Sequence, residues 1–396
     1  MPGVVELKVN GGIFGGWESA EIKVGIEQIS GTFHLGVTER WPGQATPTPI
    51  LPGFEALVLL DGAPVISGYL DSVEPSYDMQ YHTLSLSGRD KTGDLVDCCG
   101  VHKTGQWTNR NLFQIAQDIC KPFNIKVINQ TDVGAPLPPF NIQEGERAFE
   151  ALDRMARMRA VLLMSDGLGN LVITRAGQQR ITTALVEGVN IKSANAKFDW
   201  KERFSTYTVK GQHQGSDTAP ADHARGPVGS AVDTVIQSVR YRPLVLLAED
   251  QGHIASLTQR AEWERNVRIG RANRATVTVQ GWSYMDAATA MLWKPNTLVR
   301  LRSPRLYADL DLLIASVTYR LDAANGTTCD LELCRPEAFD LLSGVKASRL
   351  NRAIGDKKRN GAAMRMVGDK KSWLKANAGE GYVSAIESTP TGEAWK

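Results

Sequence analysis

The chain has 396 residues, 45 basic and 43 acidic side chains for a formal net charge of +2, and 42% apolar positions, so it can bury a large core and is not a disordered tail. A single core rarely grows beyond about 250–300 residues, which points to two or more domains. No stretch approaches the ~18 uncharged apolar residues of a membrane span, and the start, MPGVVELKVN, lacks a basic region followed by an apolar one, so a soluble chain made without a secretion signal is expected.

From Val5 to Val9 apolar and polar residues alternate, and the pattern returns at Ala20, Ile22, Val24 and Ile26 with Glu21, Lys23 and Glu27 opposite. Both read as half-buried strands. The run Ala56-Leu57-Val58-Leu59-Leu60 meets Asp61-Gly62 and leads into Val65 to Leu70, a hairpin because Asp-Gly supplies positive φ cheaply. The first ~95 residues therefore read as all-β. At Asn111 the period changes: Leu112, Ile115, Ala116 and Ile119 share a helical face, with Asn109 or Asn111 as N-cap. After a Pro-rich loop, Glu146 to Arg159 places Ala148, Phe149, Leu152, Met155 and Ala156 on one stripe, and the hairpin Val161–Met164, Asp166–Asn170, Leu171–Thr174 completes a small α+β insert.

Strand patterning resumes near Ile181 and at Tyr207 to Lys210, before a polar stretch, Gly211 to Gly229, that reads as a loop. A helix is expected from His253 to about Arg268, then a strand through Ala275, Val277 and Val279. A second hairpin follows, with Leu313, Ala315, Val317, Tyr319 and Leu321 on one face and Asn325-Gly326 turning into Cys329, Leu331 and Leu333. Two distant regions echo each other here. Pro52 precedes Leu57–Leu60 and a strand ending at Val73; Pro295 precedes Leu298–Leu301 and a strand ending at Val317. Each leads to another strand, Thr83–Ser87 or Cys329–Leu333. The layout fits a duplicated β-domain, and it equally fits two unrelated meanders that share a proline at a strand start.

The residues offer little chemistry. His34, His82, His102, His213, His223 and His253 are scattered without a metal-binding spacing, and the five cysteines, Cys98, Cys99, Cys120, Cys329 and Cys334, contain no pair two residues apart. The run Gly11-Gly12-Ile13-Phe14-Gly15-Gly16 lacks the Lys-Ser/Thr of a phosphate loop and fits a β-turn better. Glu144/Glu146 and Glu262/Glu264 are acid pairs beside arginines, as solvated faces usually are, so a glycosidase is disfavoured. The vicinal Cys98-Cys99 is expected to be partly buried packing. Trp263, Trp282 and Trp293 could form an aromatic hot spot at a subunit boundary or ordinary core. Between Lys346 and Lys375 ten Lys/Arg stand against two acids, Asp356 and Asp369, a balance of +8 that includes Lys357, Lys358, Arg359, Lys370 and Lys371. Such a run fits an arm docking on an acidic partner subunit, or a nucleic-acid contact sensitive to salt.

Read together, Leu86-Ser87-Gly88-Arg89-Asp90 with Asp94-Leu95-Val96-Asp97-Cys98, Glu144 to Ala156, Tyr241-Arg242-Pro243-Leu244 and Arg260-Ala261-Glu262-Trp263-Glu264 form a recognisable series. Gly281-Trp282, Leu292-Trp293-Lys294-Pro295-Asn296, Leu312 to Val317 and Arg335-Pro336-Glu337-Ala338-Phe339 continue it. In order and spread over roughly residues 1–340 the chain resembles the baseplate hub proteins of Mu-like contractile tails, the late-control D class of phage and R-type pyocin tails, related to the N-terminal regions of type VI secretion spikes. Glu144-Gly145-Glu146-Arg147 departs from the Glu-Thr or Glu-Ser of such helices, so no contact is carried over there.

The resemblance implies a mainly β fold with α+β inserts: a first β-barrel domain over 1–98, an α+β insert over 99–178, a similar β-barrel over 179–212 and 270–340, a loop-and-helix insert over 213–269, and a basic arm over 341–396. It also implies a homotrimeric ring between the tail tube protein and the central spike protein, beside other baseplate proteins, with a channel for DNA or tape-measure protein. The expected role is structural, without active site, cofactor or membrane span, in a virion assembled in the host cytoplasm. Competing readings are a tail-associated cell-wall hydrolase and a nucleic-acid-binding module.

Overall fold

Alternation and turn chemistry shape the N-terminal strands. β1 (Val5–Val9) buries Val5, Leu7 and Val9 and turns at Asn10-Gly11, both with positive φ, into the short strand Gly12–Phe14, so the glycine run is a turn. β2 (Ser19–Gly25) pairs with β3 (Thr32–Thr38). β4 (Glu55–Leu60) and β5 (Ala63–Tyr77) are joined by Asp61 (φ 48°) and Gly62 (φ 80°), the left-handed pair a tight hairpin needs, and β6 (His82–Asp90) follows. A computed structural model of the chain describes residues 3–38, 50–79, 82–137, 139–159, 161–177, 179–211, 227–247, 254–286 and 288–339.

A short helix, Gly93–Asp97, opens the insert. Asn111 caps α1 (Leu112–Cys120) with a reciprocal box, its side chain accepting from the Gln114 N–H while the Gln114 side chain accepts from the Asn111 N–H. α2 (Ala148–Arg159) packs Ala148, Ala151, Leu152, Met155 and Ala156 against α1 and a three-stranded sheet of β7 (Val127–Asn129), β8 (Leu162–Ser165) and β9 (Leu171–Thr174).

The C-terminal part begins with β10 (Ser193–Phe198). β11 (Thr206–Lys210), β12 (Val228–Val232) and β13 (Pro243–Leu247) then form a separate three-stranded sheet covered by α3 (Ile254–Arg271) through Tyr207, Val209, Ala231, Leu257 and Ala261. Two expectations change here. Val228 and Gly229 start a strand instead of ending a loop, while most of that stretch lies outside the described residues. Thr206–Lys210 joins this small sheet and not the main one, because its two neighbours come from the intervening segment. β14 (Asn273–Gln280), β15 (Thr297–Ser303), β16 (Ala308–Asp322) and β17 (Gly326–Cys334) follow, with a small separate hairpin of Ser283–Asp286 and Thr289–Leu292 between β14 and β15.

Among the described residues, one fourteen-stranded sheet runs β10-β14-β17-β16-β2-β3-β6-β5-β4-β1 and on to Gly12–Phe14, with β15 beside β16 and the two-residue strands Gln179–Arg180 and Leu185–Val186 beside β15. It contains one strand order twice: β2-β3-β6-β5-β4 and β10-β14-β17-β16-β15. The registers of the central strands repeat, while β4 against β5 carries a register shift at Val58/Leu59 that β15 against β16 lacks. Phe33 faces Gly88 and Leu35 faces Leu86 in the first unit; Ala275 faces Leu333 and Val277 faces Leu331 in the second. β5 and β16 each span 15 residues and each shifts register against the next strand, between Leu70 and Ser72 and between Ile314 and Ser316. The Gly53 N–H donates to the Leu70 carbonyl (2.7 Å) as the Asn296 N–H donates to that of Ile314 (2.9 Å), and both donors have positive φ. The echo from Pro52 and Pro295 is thus a repeated fold topology.

The bulge at Ala315 corrects the expected face of β16. Leu313 and Ala315 pack with Ile26, Leu298, Cys334 and Ala338, whereas Val317 and Tyr319 enter the main core with Ile314, because an extra residue reverses which side the following residues point to. The following turn also differs from a two-residue Asn-Gly hairpin. Asp322 pairs with Gly326, and the Asp322 carboxylate accepts from the N–H groups of Ala324 and Asn325.

Candidate assembly surface

The tryptophans do not gather. Trp282 (3% exposed) and Trp293 (2%) are in the main core, with the Trp293 N–H donating to the Trp282 carbonyl at 3.1 Å and the Trp282 indole donating to the Arg320 carbonyl at 2.9 Å. Trp263 is half-buried on α3 under the Arg260 guanidinium, 4.5 Å from the ring centre. Lys357, Lys358, Arg359, Lys370 and Lys371 lie outside the described residues.

Charged groups serve architecture. Arg154 grips Glu146 at 2.8 and 3.1 Å, while Glu264 and Arg268 pair one turn apart at 2.8 Å. Asp90 is a buried carboxylate, a type that often marks catalysis. Here its oxygens accept from the Thr92 N–H (3.0 Å), the Thr92 hydroxyl (2.9 Å) and, on β8, the Ser165 hydroxyl (2.9 Å), which ties the insert to the first β-unit. Burial pushes its pKa up and those hydrogen bonds pull back. Cys120 and Cys334 are buried, which raises each thiol to about 12. Cys98 and Cys99, expected to be partly buried, are both exposed, because they lie where Gly93–Asp97 ends and the chain leaves the core. Among the described residues no group of three His, Cys, Asp or Glu could hold a metal ion, and no helix is long and apolar enough to cross a membrane.

What the geometry does present is a seam and its unfilled counterpart. The two β-units join where β2 pairs antiparallel with the second half of β16: Val317 faces Val24, Thr318 faces Lys23, Tyr319 faces Ile22, Arg320 faces Glu21 and Leu321 faces Ala20. Val317, Tyr319, Ile22 and Ala20 are buried on one face, and on the other Arg320 is ion-paired with Glu21. A second bridge between units joins Arg274 of β14 to Glu27, whose pKa is lowered chiefly by that hydrogen bond. At the matching place in the first unit, the second half of β5, Ser72–Tyr77, carries no neighbour on that side among the described residues, and β10, the counterpart of β2, is a sheet edge. Glu74 to Tyr77 are exposed, Tyr77 by 82%, where Thr318 to Leu321 are largely covered. Neither edge was singled out from the sequence. Extending the Pro52/Pro295 echo past Val73 and Val317 sets Tyr77 at the place of Leu321, two apolar residues whose difference in exposure only the structure shows.

Comparison with known proteins places this architecture. The family model "Mu phage baseplate assembly protein GpP-like, N-terminal" matches residues 4–90, "Baseplate hub protein gp44-like, second domain" matches 92–175, and "Mu phage baseplate assembly protein GpP, fourth domain" matches 254–342. The chain is 33% identical over 378 residues to the baseplate hub protein gp44 of Escherichia phage Mu, covering 93% of this chain and 96% of that one. Among solved structures it is similar to the 43 kDa tail protein of prophage MuSo2 from Shewanella oneidensis (39% identity, TM-score 0.77, 85% of this chain and 99% of that one). The fold is also shared with the tail protein from Neisseria meningitidis MC58 (22% identity, TM-score 0.73, 86% and 99%).

Proposed function

Because this chain belongs to the Mu-like baseplate hub family and has that family's structural role in a phage tail, we propose that three copies close into a ring that joins the tail tube protein to the central spike protein. The observation that carries the ring is the repeated strand order with its shared register. Three chains with two alike units each present six similar faces, which lets a three-fold spike meet a six-fold tube. Homo-oligomers close by rotation, so a chain with complementary edges favours a ring.

In this reading the ring surrounds a passage for DNA or tape-measure protein, contacts other baseplate proteins, and is assembled in the host cytoplasm before release in the virion. It works by position and has no catalytic step. Asp90 and the ion-paired glutamates, the best acidic candidates, are committed to hydrogen bonds and guanidinium partners that hold the fold. The basic stretch through Lys357 and Lys371 docks on an acidic partner subunit.

Size-exclusion chromatography with light scattering tests the ring: a mass of three chains, alone or with tube or spike protein, is the expected result, and a single-chain mass in every case refutes it. Electron microscopy of the particle must show a ring with a central hole at the end of the tube. Release of peptidoglycan fragments by the purified chain, abolished by a carboxylate-to-amide change, would favour the hydrolase instead.

A further inference from the structure

We propose that the ring closes by strand addition, β10 of one copy pairing antiparallel with the second half of β5 of the next and reproducing between chains the seam that β2 and β16 make within one. The proposal rests on the ring reading above and assigns it a contact.

The register follows from equivalence. Bulge to bulge, Ser72–Tyr77 matches Ser316–Leu321. β10 matches β2 because Ala194 faces Val277 of β14 as Ala20 faces Leu35 of β3, and Lys197 faces Arg274 as Lys23 faces Thr32. The hydrogen bond that precedes each of these two strands also repeats, from the Glu18 N–H to the Gly36 carbonyl (3.0 Å) and from the Lys192 N–H to the Thr278 carbonyl (2.8 Å). Copying the internal seam sets Val73 opposite Phe198, Glu74 opposite Lys197, Pro75 opposite Ala196, Ser76 opposite Asn195 and Tyr77 opposite Ala194.

The side chains suit that register without adjustment. Val73, Pro75 and Tyr77 share one face with Phe198, Ala196 and Ala194, so an apolar stripe meets an apolar stripe, as Val317, Tyr319 and Leu321 meet Val24, Ile22 and Ala20. On the outer face Glu74 comes against Lys197, opposite charges on one rung where the internal seam has Arg320 against Glu21 on the next rung but one. Among the described residues each charge has an exposed local partner, Ser72 for Glu74 (3.1 Å) and Asp199 for Lys197 (3.4 Å). A slip by one residue would put Glu74 among the apolar side chains. Pro75 stands at the position of Tyr319 and removes that rung's N–H donor. Such a proline discourages indiscriminate pairing along an open edge while leaving the flanking rungs able to bond. The contact is head-to-tail, so it closes only as a ring or runs on as a filament.

Full-length chain carries the test, with the oligomer mass and cross-linking as readouts. Glu74→Cys with Lys197→Cys in one chain, mildly oxidised, should give a covalent species of three chains on a non-reducing gel, and neither single variant should, which controls for exposed Cys98 and Cys99. Glu74→Lys places like charges on each rung and weakens each seam by up to about fivefold, so the trimer dissociates at lower dilution. Adding Lys197→Glu restores opposite charges and the parent mass. A trimer that neither cross-links through these positions nor responds to the reversals overturns the seam and leaves the ring standing. A chain that is monomeric in the parent, with and without tube or spike protein, overturns the ring and the seam with it.

Discussion

On one rung the two β-units solve the same space in opposite ways. In the first, Phe33 of β3 faces Gly88 of β6, and a side-chain carbon added at Gly88 would fall 2.5 Å from the Phe33 ring and 2.2 Å from the Tyr69 carbonyl. In the second, Ala275 faces Leu333 and both are buried. A large residue on one strand is matched by a small one across from it in each unit, with the strands exchanged. Backbone register is therefore the shared feature, and side-chain volume is balanced within each rung. A second contrast sits at the seams, where equivalent strands are covered in one place and open in the other.

Breaking the comparison most severely is Val317→Asp. Val317 is fully buried, and an unpaired carboxylate there costs several kcal/mol, so urea denaturation followed by circular dichroism should show loss of the folded state. Val73→Asp, at the equivalent half-exposed position, should cost less than half as much in the single chain. Next comes Gly88→Leu, expected to lose about 1–3 kcal/mol or more by overpacking. Combining it with Phe33→Ala imitates the second unit and should recover part of the loss, a coupling of about 0.5–3 kcal/mol in a double-mutant cycle. Full additivity would mean that volume is not exchanged along that rung.

Asp90→Asn sharpens the contrast between pairing and burial. The folded-state pKa of Asp90 is raised above 3.8, so the native state holds the proton more tightly, and that stabilisation is complete below the unfolded pKa and lost as pH rises through the folded one. An amide keeps the acceptor for Thr92 without the charge. Urea midpoints should show the parent gaining on Asp90→Asn as pH falls from about 7 towards about 4; a constant difference would rule this out. The smallest effect belongs to Glu21→Gln. Its pair with Arg320 is 48% and 42% exposed, so less than about 1 kcal/mol should be lost, and the loss should shrink in high salt.

Much of the fold was legible along the chain. Period-two alternation marked the strands around Leu7, Ile22 and Val277, the apolar run Ala56–Leu60 meeting Asp61-Gly62 marked a hairpin, and Asn109 or Asn111 ahead of Leu112 marked a helix start, since each depends on residues a few positions apart. The face of Val317 was misread because a bulge is one extra residue that leaves composition unchanged. The covering of Trp282 and Trp293 was open because a large aromatic suits core and interface equally. The candidate edges were invisible because an edge strand and a central strand differ in what lies beside them.

Sequence alone determined the strand and helix types, the hairpin and cap positions, the outline of a repeat and the family, since these follow from local backbone preference and ordered motifs. Only the tertiary structure decided that the two units share the register of their central strands, that β2 fills the second half of β16, and that among the described residues β10 and the end of β5 have no such partner. Those are facts of pairing between residues up to hundreds of positions apart, set when strands meet in register and water leaves one face of the sheet.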